Sequence, residues 1–93
     1  MTMMLRIRKA KLQFMSADHQ VLGAIAQLQQ RGAADIYGFL ISQEIEQATG
    51  HIIGYGTLYR ALSRLEHRGI LRSRWEVPKP DEGRPRRRYY SLV

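Results

Sequence analysis

Residues 55–93 read YGTLYRALSRLEHRGILRSRWEVPKPDEGRPRRRYYSLV, and the first third of that stretch carries a helical repeat. At 100° per residue, Leu58, Ala61, Leu62 and Leu65 fall within about 100° of one another, the width of one buried stripe. Arg60, Ser63, Arg64 and His67 project from roughly the opposite side, and no acid stands among them. Thr57 can cap a helix start near Gly56, and Gly69 suits the left-handed position behind Arg68, so the spacing predicts a helix over 56–68.

Past Gly69 the pattern changes. Residues 70–77, ILRSRWEV, suit a strand and residues 86–92, RRRYYSL, suit its partner. The loop between them, 78–85, holds Pro78, Pro80 and Pro85, which bar a helix. Arginines run along both the helix and the hairpin. A basic helix feeding a basic hairpin predicts a mainly α fold with a small β-hairpin, a winged helix-turn-helix whose helix enters the major groove while the wing, 77–88, lies on the backbone or in the minor groove.

Upstream segments complete that order. Ser16 or Asp18 can cap a first helix whose stripe is Val21, Leu22, Ile25, Ala26 and Leu28, ending near Arg31 and Gly32. Residues 33–35 form a connector, and Asp35 can cap a second helix from Ile36 or Tyr37 to Thr49, stopped by Gly50. Residues 51–55 make the turn into the helix with the arginine face. This predicts a winged-helix domain over 16–93, preceded by a basic segment, 1–15, that reads equally as a weak helix, an arm touching phosphate, a subunit contact or a disordered tail.

Size and composition restrict the function. Ninety-three residues make one small domain with a single core. Cysteine is absent, so disulfides and thiolate metal sites are excluded. There is no apolar run of spanning length and no signal-peptide pattern, which together predict a soluble cytoplasmic protein without a membrane partner. Net charge is +7, distributed as +4 over residues 1–17, −3 over 18–59 and +6 over 60–93. Segregated positive charge attracts polyanions by counterion release, and twelve arginines against three lysines favour bidentate contacts to phosphate or guanine. A solvated basic face with no ligand is the plainer reading of the same charge.

Several pieces of the sequence resemble the PadR family of transcriptional regulators: residues 37–41 (YGFLI), 56–59 (GTLY), 62–66 (LSRLE) with 69–71 (GIL), Trp75-Glu76, and 83–90 (GRPRRRYY) with Leu92. The resemblance spans residues 37–92 and implies a winged helix, commonly a homodimer on a palindromic operator and often a repressor. By position it also implies that residues 56–59 begin the recognition helix, that Arg64 belongs to it, and that residues 83–88 form the wing. Two departures stand out. Arg60 replaces the proline that commonly follows the tyrosine, adding a cation at the helix start. The sequence stops at Val93, where family members normally continue into C-terminal helices that dimerise and help form an effector pocket. Either the N-terminal segment with the first helix then supplies the homodimer interface, the expectation kept here, or the protein is a minimal version, monomeric or assembled on DNA.

The expected DNA-binding residues are Tyr55, Thr57, Tyr59, Arg60, Ser63 and Arg64 on the helix, with Lys79, Arg84, Arg86, Arg87 and Arg88 in the wing. Tyr59 lies at the border of the buried stripe and can equally pack, and Thr57 can spend its hydroxyl on the cap. Strand alternation puts Arg86, Arg88, Tyr90 and Leu92 on one face and Arg87 and Tyr89 on the other, with Tyr90 and Leu92 packing inward. Trp75 reads as a packing or subunit residue, and Glu66 as a partner for a nearby arginine. His19, His51 and His67 lack metal-ligand spacing, and Glu44 and Glu46 point in different directions on their helix. No enzyme, metal or cofactor is expected. The partner is double-stranded DNA, with a mobile-element accessory factor or a protein-binding adaptor as the alternatives.

Overall fold

The computed structural model describes residues 15–78 and 83–93. The expectations for residues 1–14 and for Lys79 fall outside that range. Three helices are followed by a hairpin: α1 (Ala17–Gln30), α2 (Gly38–Thr49), α3 (Tyr55–His67), β1 (Leu71–Trp75) and β2 (Arg88–Leu92).

Ser16 caps α1, its hydroxyl oxygen accepting the His19 backbone N–H at 3.3 Å. The buried face of α1 is Val21, Ala24, Ile25 and Leu28, whereas Leu22 is half-buried and Ala26 exposed. Ala26 lies about 140° around the helix from Val21, outside the width a single core contact can cover. Helix α2 starts at Gly38 behind Tyr37, with no side-chain cap. Asp35 is not the cap: it lies two residues ahead of Tyr37, the N-cap, and its carboxylate accepts from Arg74 Nη2 at 2.6 Å. Gly50 ends α2 at φ +78°, a left-handed conformation that costs a residue with a Cβ.

Helix α3 buries Leu58, Ala61, Leu62 and Leu65, the stripe the spacing predicts. It begins at Tyr55, one residue before the expected start at Gly56, with Gly54 in extended conformation as the N-cap and no side-chain cap bond. Thr57 therefore lies inside the first turn, and its hydroxyl is not the cap. After α3, Gly69 takes φ +77° and the Ile70 N–H returns to Leu65 O at 3.0 Å, which closes the helix and launches β1.

The strands pair antiparallel from Leu71↔Leu92 to Trp75↔Arg88. Both are shorter than the sequence pattern, which had allowed 70–77 and 86–92. A third piece of backbone completes the sheet: Tyr37 forms a bridge with Tyr89, and the Tyr90 N–H donates to Ile36 O at 2.8 Å. The core joins α1, α2, α3, Leu71 and Tyr90, with Ile36 under the bridge. Each fully buried leucine contributes roughly 1.5–3 kcal/mol by leaving water. Tyr89 does not face solvent on the far side of the strand; it is buried against the Tyr37 ring, centroids 6.3 Å apart and edge-on. Leu92 is only half-buried. The sheet thus fixes the hairpin to the start of α2 as well as to α3.

Candidate nucleic-acid interface

With its apolar stripe turned to the core, α3 presents Tyr55, Thr57, Tyr59, Arg60, Ser63 and Arg64 to solvent. Tyr55 and Tyr59, one turn apart, stack with centroids 6.3 Å apart and planes 27° from parallel. Tyr59 is 47% exposed, so the border position resolves as an outward-facing ring that still leans on the protein.

The two arginines of this face differ in their engagement. Arg64 is gripped by Asp18 at the start of α1, with Nη2 2.6 Å from Oδ1 and Nε 3.3 Å from Oδ2. That fork holds the Asp18 carboxyl below the usual carboxylate range and raises Arg64. Arg60 makes no ion pair among the described residues. Its guanidinium folds back over the first turn, where a Cβ on Gly56 would lie 3.1 Å from Nη1.

Across from α3 stands the wing. Glu76 organises its base, its carboxylate accepting two bonds from Arg84 at 2.9 Å each, the Tyr89 hydroxyl at 2.8 Å and the Arg87 N–H at 3.4 Å. These donors hold its pKa at about 2, with the Arg84 bonds the largest cause. Arg86 and Arg88 lie over the Trp75 ring at 5.4 and 5.0 Å, and Arg87 over the Tyr37 ring at 4.2 Å. Arg88 also donates to Ser73 Oγ at 2.9 Å and to the Glu66 carboxylate at 3.4 Å, while Ser73 donates to Glu66 at 2.5 Å. Stacking on rings leaves much of the Arg86 and Arg87 guanidinium edges available to an acceptor, whereas Arg88 is already engaged by Ser73 and Glu66.

Helix and wing face each other across an open groove of about 530 Å³ lined by Tyr59, Ser63 and Glu66 of α3 and by Arg86, Arg87 and Arg88. Five of the expected site residues therefore line one concavity. Tyr55, Thr57, Arg60 and Arg64 lie on the same helix but outside its lining, and Arg84 is turned to Glu76. Sequence reasoning missed Tyr37 and Gly38, which also line the groove; Trp75, read as a packing or subunit residue, is 51% exposed, and its ring is a seat for two guanidiniums. Alternation could have suggested Trp75 opposite Arg88, but nothing local marks Asp18 as the partner of Arg64.

The sequence matches the family described as "Transcriptional regulator PadR-like family" over residues 25–93. The chain belongs to the PadR-like family. A solved transcriptional regulator from Clostridium thermocellum is 31% identical, superposes with a TM-score of 0.62, and aligns with 82% of this chain and 66% of its own. A PadR family transcription regulator from Clostridium difficile, 23% identical with a TM-score of 0.61 over 83% of this chain and 71% of its own, shares the fold. An uncharacterized 37.1 kDa protein in a transposon of Streptomyces fradiae is 41% identical over 51 residues, 55% of this chain. This PadR-like chain covers 13% of that relative's length.

Proposed function

We propose that this PadR-like protein is a cytoplasmic, sequence-specific double-stranded DNA-binding regulator that represses transcription by occupying an operator. In this reading α3 enters the major groove and the wing, 77–88, tracks the flanking backbone. The observation that carries it is the groove between α3 and β2, in which three wing arginines stand opposite the recognition helix. Arg60, without an ion pair among the described residues and in the N-terminal half of α3, is the side chain best able to reach a guanine edge. Arg86 and Arg87 present cations to phosphate, while Arg64, already bound to Asp18, and Arg88, bound to Glu66, serve chiefly as braces. Two copies paired through the N-terminal segment and α1 would address a palindrome.

The relative within a transposon favours a second, narrower setting, in which the same surface regulates genes of a mobile element. Both settings share one physical requirement, counterion release. Affinity for duplex DNA measured across a salt series should fall with a log–log slope near −5, corresponding to about 6 phosphate contacts. A flat response overturns the DNA reading.

A further inference from the structure

Gly38 opens α2 with no positive φ, so its backbone does not require glycine. An alanine there would favour the helix. Space, not conformation, accounts for it: a Cβ at position 38 would overlap the Tyr59 hydroxyl oxygen and lie 2.9 Å from Tyr59 Cζ. The missing side chain is a seat for the Tyr59 phenol. On the other side of the same peptide, Tyr37 carries the Tyr89 bridge and the Arg87 guanidinium. The first two residues of this segment therefore touch the recognition helix through one and the wing through the other.

From this geometry we infer that Gly38 is a positioning residue of the DNA-binding surface: by receiving Tyr59 it fixes the stacked Tyr55–Tyr59 pair at the mouth of the groove. The inference rests on the DNA reading above. Tyr59 is 47% exposed and its stacking partner Tyr55 is 59% exposed, so neither ring is held by core burial. The contact with Gly38 holds the Tyr59 ring from the protein side. A Cβ at 38 displaces the tip of the Tyr59 side chain, and the ring loses its place beside Ser63 and the wing arginines.

A double-mutant cycle tests this on the full chain, using duplexes selected by the wild-type protein from a random-sequence pool as the probe. Gly38→Ala should lower affinity by about tenfold, the loss of one well-placed contact. In a Tyr59→Ala background the same substitution should change affinity less than twofold. Thermal unfolding supplies a second readout with no DNA present. Gly38→Ala should raise the midpoint by roughly 3–6 °C in the Tyr59→Ala background, because only the helix preference of alanine remains, and should not do so in the wild type.

An equal loss of affinity in both backgrounds would mean that glycine admits the DNA directly and would overturn the inference. A midpoint that rises equally in both backgrounds would overturn it too, since no seat would then exist. Failure of the wild-type protein to enrich any duplex would instead reject the DNA reading, and the positioning role with it, while the unfolding data would still report on the seat.

Discussion

Two arginines one turn apart on α3 illustrate how identical residue types acquire different work. Arg64 lies across the Asp18 carboxylate in a two-bond fork, and any DNA contact by its guanidinium must share or break those bonds. Arg60 has no ion pair among the described residues and sits nearer the helix start, where side chains of a recognition helix meet base edges. Arg60→Ala should therefore weaken specific binding by about 1–3 kcal/mol and relax preference at one base position, while binding to random duplex changes less. Arg64→Ala should produce the smaller loss of specificity. Competition titrations of both variants against a selected duplex and a scrambled one decide between them; an unchanged ratio for Arg60→Ala would remove it from base reading.

Within the hairpin, the decisive unit is the wing base around Glu76. Four donor bonds from three residues converge on one carboxylate, tying the strand ahead of the proline-rich turn to the strand that follows it. Its folded pKa is depressed from 4.5 to about 2. A depressed carboxylate contributes stability that is present above its unfolded value and is lost as pH falls through the folded one. The contribution should therefore be complete above about pH 5 and fade between about 4.5 and 2. Trp75 is the single tryptophan and adjoins Glu76 in the chain, so its emission reports on the wing. That emission should change across the same acid range, and Glu76→Gln should show the altered signal already at neutral pH. An acid profile identical in the variant would exclude Glu76 as the organiser.

At the scale of the whole molecule, the distribution of charge bears on how the surface is used. The last third of the sequence carries +6 and the middle −3, and the groove draws its arginines from that last third. One copy of this chain carries one α3 and, in the DNA reading, would address one half-site. Two subunits would place their helices about one DNA turn apart, roughly 34–36 Å, as a palindrome requires. Sedimentation equilibrium should give a mass of two subunits, falling toward one when residues 1–15 are removed. A two-subunit mass that survives the deletion would move the interface elsewhere.

The elements were legible in the sequence because what specifies them is local. Leu58, Ala61, Leu62 and Leu65 mark a buried face by their spacing alone, and Gly50 and Gly69 end their helices through a backbone conformation each adopts independently of the rest. The order helix, helix, helix, hairpin followed, and with it the family. The site was legible only in its residue types. Asp18 and Arg64 are 46 positions apart, Tyr37 bridges to Tyr89, and Gly38 yields to Tyr59. No periodicity links such pairs, because their distances arise from how three packed helices and a sheet close on one core. The sequence determined that this protein would carry a cationic helix and a cationic hairpin; only tertiary packing decided which arginines would be held by acids, which would rest on rings, and which would be left to meet a partner.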